Sequence, residues 1–364
     1  MSEEKRSPLH DWHVSHGAEI LIEDGYPWPL HEGTDPLEEY EALRTAAGVW
    51  DLFSTSKYEV TGPDAGRLIQ RRFTNRIEGM TDGGVRYGAF VNPDGLMVDD
   101  GNVYRFAADR YLVMINTAGI EEWFREVATD LDAEIVHRTE ERAMISVQGP
   151  AAQATLQPLV GENLGDLAYF HFWPEPVQVA GVRANVLRTG FGGEKGYELL
   201  SDPGDARTLW DALLAAGATP FGLTAVDLAR TEVGLIIIAI DYDPGTRSPW
   251  DLSMDRFIHT DTECVGADAL VAYGARPPKR FKTLRIEGDE APDYGAAVTK
   301  DGREVGVVTS PAKSPRLGTI GLAILDAEVA SEGQRVDVAV GEGTAGATVD
   351  VLSALDPNKE RPRA

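Results

Sequence analysis

The stretch Tyr87-Gly-Ala-Phe-Val-Asn-Pro-Asp-Gly-Leu-Met-Val-Asp-Asp100 limits what this chain can fold into more than any other. Asn92-Pro-Asp-Gly95 is a turn sequence, with one strand running into it and a second leaving through Leu96 and Val98. Period-2 alternation sets Leu96, Val98 and Asp100 on one face, so a carboxylate stands on an otherwise apolar surface. Such a group must find a partner or do chemistry, because burying it bare is expensive. The competing reading is that Asp99 and Asp100 end the strand at the surface. A third strand follows at 111–115 and runs into Asn116.

The 364 residues suggest two or three domains, and a hydrophobic content of 43% supports substantial cores. The longest apolar run, 233–240, is far shorter than the roughly 20 residues a membrane helix needs. Its β-branched content reads as a buried strand or the end of a buried helix. Met1-Ser-Glu-Glu-Lys-Arg6 leads into polar, proline-containing sequence, so we expect no signal peptide, no membrane partner and a cytoplasmic protein. The single cysteine, Cys264, excludes a disulfide framework and a multi-cysteine zinc site. With 34 basic and 59 acidic residues the net charge is −25, which argues against a nucleic-acid partner. The acid is spread thinly and says little about fold. We read it, as a hypothesis, as adaptation to a high-salt cytoplasm.

Near the N-terminus stand His10, His13 and His16, without an acid or cysteine at a diagnostic spacing, so no metal site is expected. Residues 36–48 read as a helix with Leu37, Tyr40, Leu43 and Ala46 on one side. Residues 57–60 alternate as a strand, and Gly62-Pro-Asp64 turns into a helix through Leu68 and Ile69. Another helix is expected at 120–131. A strand at 143–148 enters a helix at Pro150. The strand at 184–188 runs into Thr189-Gly-Phe-Gly-Gly-Glu-Lys-Gly196 and returns as Tyr197-Glu-Leu-Leu200. These glycines either let a ligand approach the backbone or make a sharp turn. Glu198 faces either water or a pocket. Residues 221–234 read as a helix with Asp227, Arg230 and Gly234 on one side. After a linker at 275–281, short alternating strands indicate a small all-β domain. The tail beyond Asp356 reads as disordered.

In chain order, Trp12-His13 with Gly17-Ala18, Gly62-Pro-Asp-Ala65, the 87–100 hairpin, Gln148-Gly-Pro150, Arg188-Thr-Gly with Gly196-Tyr-Glu198, Asp227-Leu-Ala-Arg230-Thr-Glu232 and Val305-Gly with Leu317-Gly318 resemble one family. This is the glycine cleavage T-protein family of tetrahydrofolate-dependent aminomethyltransferases, with its relatives. The resemblance implies an α+β, three-domain cloverleaf around a central hole. Residues 1–50 and 140–275 would form a discontinuous folate-binding domain and 51–139 an inserted α/β domain completing the site. A small C-terminal β-barrel would occupy 279–354, with a tail at 355–364. It also implies Asp100 as the catalytic acid and Tyr87, Asn116, Phe191, Glu198 and Arg230 as cofactor-binding residues. One carboxylate can accept two hydrogen bonds from the aminopyrimidine side of a pterin. A second, near the reacting nitrogen, can stabilise charge or move a proton. Arg230 would hold one of these acids in its charged form.

Departures from the family pattern fall where the donor is expected. Asp51-Leu-Phe-Ser-Thr-Ser56 lacks the family's histidine, and Phe191 keeps a ring without a hydroxyl. Within Ser248-Pro-Trp-Asp-Leu-Ser-Met-Asp-Arg256, an aromatic has moved to Trp250 and Arg256 replaces a tryptophan. Trp173, Tyr242, Trp250 and Arg256 are the candidate donor-side residues. The three aromatics either cage a methylated cation or pack in the core. The resemblance implies aminomethyl transfer from a lipoylated carrier protein, giving methylenetetrahydrofolate and ammonia. The altered donor side favours a demethylase that moves a methyl group from a small S-, O- or N-methyl donor to folate. A diffuse acidic surface also favours a free small donor over an acidic carrier. A third reading, a folate-binding assembly factor without catalysis, lacks its motif cysteine at Lys195-Gly-Tyr197.

Overall fold

The computed structural model describes residues 5–23 and 25–364. The first four residues of the stretch used to argue against a signal peptide lie outside the described residues. A six-stranded sheet runs in the order Val177–Val179, Val182–Leu187, Gly196–Ser201, Ala143–Gln148, Gly48–Asp51 and Thr219–Pro220. Between its Gly48–Asp51 and Ala143–Gln148 strands the chain builds a second, five-stranded sheet. Its order is Val85–Val91, Met97–Ala107, Arg110–Ile115, Ser56–Thr61 and Glu134–His137. The strands from Lys279–Ile286 to Gly343–Asp350 close into a six-stranded barrel, which leaves no unpaired edge. The fold is α+β with a C-terminal barrel, as the resemblance implies. No helix among the described residues is long and apolar enough to cross a membrane.

One face of the five-stranded sheet packs against the six-stranded sheet, joining Tyr104, Leu112 and Met114 to Leu52, Leu187 and Leu200. The opposite face carries Tyr58, Val60, Val103 and Val113 against Leu68, Ile69 and Phe124. A bulge decides which residues of the 87–100 hairpin reach the first face. Asp99 lies opposite Phe90, but Met97 lies opposite Val91, so Val98 is the extra residue. The expected Leu96–Val98–Asp100 face is therefore broken, and Met97 is the apolar residue that shares a side with Asp100. Both aspartates are buried and the strand continues to Ala107, so the pair does not end it at the surface.

Other expectations change with tertiary context. The helix Pro36–Thr45 buries Tyr40 and Leu43 but exposes Leu37, because Glu39 and Arg44 take the buried side and bond there. The helix expected at 120–131 is a single turn, Glu121–Arg125. The 233–240 run is neither strand nor helix. The Leu223–Glu232 helix stops at Gly234, which has φ of 67° and where a Cβ would lie 2.1 Å from the Leu352 carbonyl oxygen. The chain then turns back, with Asp241 N donating to Ile237 O at 2.8 Å. Strand Lys279–Ile286 begins inside the expected linker.

The tail beyond Asp356 is packed, not disordered. The Asp356 carboxylate accepts from the amides of Glu360 (3.0 Å) and Arg361 (2.9 Å), and Arg361 reaches Glu194 at 2.6 Å. Charge pairs order this segment, which is why its low hydrophobicity misled. His13 is buried between Glu32 (2.8 Å) and Asp51 (3.1 Å). No group of three or more His, Cys, Asp or Glu among the described residues is arranged to hold a metal ion.

Candidate functional site

Asp100 is 6% exposed and is held by two hydroxyls. Tyr242 donates to its Oδ1 at 2.5 Å and Tyr87 to its Oδ2 at 2.7 Å. Burial, then the charge of neighbouring Asp99, raises its carboxyl to about 7 against the pull of the tyrosine bonds. An acid poised there can hold or release a proton near neutrality. Asp99 stands behind it, accepting from Asp100 N (2.7 Å), Asn116 N (3.1 Å), Asn116 Nδ2 (2.9 Å) and Thr117 N (2.7 Å). The Asn116 amide thus braces the aspartate pair from behind.

Glu198, also 6% exposed, faces inward rather than water. The Thr189 hydroxyl donates to it, and Tyr104 Oη lies 3.5 Å from its Oε2. Burial lifts this carboxyl to about 7, opposed by those hydroxyls and by the charge of Lys57. Asp100, Asn102 and Tyr104 lie at alternate positions on one strand face, with Tyr87 opposite Asn102. Arg256 lies within electrostatic range of Tyr87 and Tyr169, and Glu198 within range of Tyr169. Tyr87, Arg256 and Tyr169 thus form a run of aromatic and cationic side chains in reach of the two acids. Phe257 meets the Tyr87 ring edge-on at 5.0 Å, and half-buried Phe191 packs on the cluster containing Tyr104 and Leu187.

Three cations gather beside this run. Arg256 lies 4.5 Å over the Phe257 ring, and the field of Arg256 and Arg363 adds to burial in lowering Lys359 to about 8. Arg188 donates to the carbonyl of Ala364 at 3.1 Å, so the tail ends against the strand leading to the glycine loop.

Three sequence-derived candidates are bonded to neither acid. Arg230 is fully buried, but its acids are Asp227 (2.7 Å) and Asp241 (2.6 Å), with Ser310 Oγ at 2.7 Å. It therefore ties its helix to the barrel and is bonded to neither Asp100 nor Glu198, while the charge of its partner Asp241 acts on Asp100. Trp250 donates its indole N–H to Leu270 O (2.9 Å) and lies against Gly274, where a Cβ would meet its ring at 2.5 Å. Trp173 packs on a different core from Tyr242 and Trp250. Of the two readings of these aromatics, core packing holds for both tryptophans, and the Tyr242 hydroxyl is bonded to Asp100, so the three do not form a cage. An open groove of about 270 Å³ bordered by Arg110, Arg142, Arg183 and Leu200 contains none of these residues.

Sequence reasoning missed Tyr104, Thr189 and the tail cations. Tyr104 was within reach, because it continues the alternation from Asp100. The pairing of Tyr242 with Asp100 spans 142 positions and leaves no local signal.

Comparison with known proteins identifies the family. The GCVT N-terminal domain model matches residues 9–262, and the glycine cleavage T-protein C-terminal barrel domain model matches 279–355. An aminomethyltransferase of Thermotoga petrophila is 34% identical over 92% of this chain and 93% of its own length. A probable aminomethyltransferase of Halobacterium salinarum is 35% identical over 97% of this chain and 99% of its own. The crystal structure of glycine cleavage system aminomethyltransferase T from Bartonella henselae superposes with a TM-score of 0.87 at 24% identity. It covers 97% of this chain and 98% of that one, and shows the shared fold. This chain belongs to the glycine cleavage T-protein family of aminomethyltransferases, a family of transferase enzymes.

Proposed function

We propose that the protein is a tetrahydrofolate-dependent one-carbon transferase acting in the T-protein manner. One observation carries the reading. Among the described residues, Asp100 and Glu198 are buried carboxyls that join no salt bridge and are held by tyrosine and threonine hydroxyls. Glu198 accepts hydrogen bonds from the aminopyrimidine edge of the pterin, while Tyr87, Tyr169 and Phe191 offer flat apolar surface to its ring. Arg256, Lys359 and Arg363 suit the carboxylates of its glutamate end. Tetrahydrofolate, when bound, supplies the amine nitrogen that takes up the one-carbon unit. Asp100 holds or moves the proton as the amino group of the donor departs, with Tyr87 and Tyr242 fixing its two oxygens. Asn116 braces this acid through Asp99. Arg230 acts in the fold.

In this reading the donor is an aminomethyl group on the lipoyl arm of a carrier protein, and the products are methylenetetrahydrofolate and ammonia. The demethylase alternative rests on the altered donor side, and the aromatic cage that would have supported it is not assembled: Tyr242 bonds Asp100, Trp250 bonds Leu270 O and Trp173 packs on another core. A binding-only role leaves the poised Asp100 without a task. The same proposal divides the chain into 1–50 with 140–275, 51–139 and 279–354. An assay offering tetrahydrofolate with either an aminomethyl-loaded carrier or small methyl donors, read by product mass, tests it. Methylenetetrahydrofolate formed from the carrier is the expected result. Methyltetrahydrofolate formed from a small donor would instead establish the demethylase, and unchanged folate with every donor would leave binding alone.

A further inference from the structure

Between the two acids stands an amide with an unused oxygen. Asn102 lies on the Met97–Ala107 strand, opposite Tyr87 on one neighbouring strand and Met114 on the other. Directly paired residues of an antiparallel ladder share a face, and Met114 packs in the core that joins the two sheets. The Asn102 side chain therefore leaves the sheet on the face that carries Asp100 and Tyr104, two residues before it and two after. Asp100 accepts from the Tyr87 hydroxyl at 2.7 Å, and Tyr104 Oη reaches Glu198 Oε2 at 3.5 Å. Asn102 thus sits between the groups that hold the two acids. The residue is partly exposed, yet its Oδ1 is shielded from water and has no hydrogen-bond partner among the described residues.

The neighbouring tyrosine orients this amide. Asn102 hydrogen-bonds the Tyr104 hydroxyl, and that hydroxyl gives its own hydrogen toward Glu198. The amide nitrogen is therefore the end that faces Tyr104, because it alone has hydrogens to give. Turning the amide over would set its oxygen against an oxygen whose hydrogen is already committed. Oδ1 is the end left over, an acceptor without a donor. Leaving such a group unpaired is costly, and in a native fold it calls for an explanation. Tetrahydrofolate offers one. Its reduced pyrazine ring carries N–H hydrogens, whereas the oxidised ring of folic acid presents bare acceptor nitrogens in their place.

We propose that Asn102 is a further ligand-binding residue: its Oδ1 accepts a hydrogen bond from a ring N–H of the reduced pterin and so favours tetrahydrofolate over oxidised folate. The inference rests on the folate reading above. With Glu198 on the aminopyrimidine edge and Asp100 at the reacting amine, the reduced ring falls between them, where Asn102 stands. A site that presents a fixed acceptor binds the partner that brings a donor and disfavours the analogue that brings a second acceptor.

Calorimetric titration with tetrahydrofolate and with folic acid, under reducing conditions, tests it in the wild type, Asn102→Leu and Asn102→Ala. The wild type is expected to bind tetrahydrofolate about tenfold tighter than folic acid, or better. Asn102→Leu keeps the bulk and removes the acceptor. It should weaken tetrahydrofolate binding about tenfold and leave folic acid within about twofold, so that the preference collapses. Asn102→Ala should do the same, which keeps the proposal falsifiable if the leucine variant fails to fold. A loss shared equally by both ligands overturns the proposal and makes Asn102 a packing residue. Unchanged tetrahydrofolate affinity in the variants, or a wild type without preference, overturns it too. Wild-type protein that binds neither ligand overturns the folate reading itself, an outcome distinct from these.

Discussion

Glu232 and Asp241 are as deeply buried as Asp100 and Glu198, yet the structure surrounds them very differently. Glu232 meets Arg44 (2.8 Å), Tyr40 (2.6 Å) and the Ser314 hydroxyl. Asp241 meets Arg230 (2.6 Å), Thr309 (2.5 Å), Ser310 (2.7 Å) and Ile237 N (2.9 Å). Each of these acids has an arginine, and together they tie the Leu223–Glu232 helix to the barrel strand Arg303–Ser314. Asp100 and Glu198 have only hydroxyls from tyrosine and threonine. Buried charge is tolerable when paired and hydrogen-bonded, and costly otherwise. The first pair is committed to the fold; the second is held in readiness for a ligand.

The comparison breaks most visibly on the arginine side. Arg44 bonds Glu232, Glu194 (2.9 Å), Gly192 O (2.7 Å) and Ala229 O (2.7 Å). Arg44→Ala strands Glu232 in the interior and is expected to cost about 3–5 kcal/mol in denaturant unfolding. Asp100→Asn attacks the other set. It should lower kcat by about a hundredfold or more, roughly 3 kcal/mol of barrier, with tetrahydrofolate affinity little changed. A loss of affinity instead would make Asp100 an anchoring residue.

His13 sharpens the comparison through pH. Burial disfavours its charged ring, but bonds to Asp51 and Glu32 outweigh this and raise it from 6.5 to about 9. Because the folded value exceeds the unfolded one, the contribution is full below about 6.5 and is lost as pH rises through 9. Allowing for the opposing burial of Glu32, about 2 kcal/mol of stability should disappear across that window. His13→Gln should abolish that part of the alkaline slope in urea unfolding. The smallest effect concerns the surface. Screening a net charge of −25 with molar potassium chloride should add about 1 kcal/mol, seen as a rise in Tm of a few degrees. A melting curve indifferent to salt would remove the high-salt hypothesis.

Local periodicity made much of this legible. The hairpin turn at Asn92-Pro-Asp-Gly95, the buried alternation around Glu198 and the barrel strands all follow from residues a few positions apart. What stayed hidden depends on distance in sequence. Local spacing pairs Arg230 with its helical neighbour Asp227, yet its buried partners are Asp241 and Ser310 from outside the helix. Tyr242 looked like part of a cage, and its hydroxyl instead belongs to Asp100. A bulge at one residue was enough to change which apolar side chain shares a face with Asp100.

The claim that Glu198 is kept for a ligand at the expense of the fold is tested most directly by the Tm of Glu198→Gln at pH 8, with and without tetrahydrofolate. The folded carboxyl is raised to about 7 from 4.5, so folding loses stability as pH climbs from 4.5 to 7 and does not regain it above. The neutral glutamine escapes that penalty. Without ligand the variant should therefore melt no lower than wild type, and up to a few degrees higher, while the shift produced by tetrahydrofolate largely vanishes. A variant that melts lower without ligand and keeps the full ligand shift would place Glu198 with Glu232 and Asp241, among the acids that hold the fold.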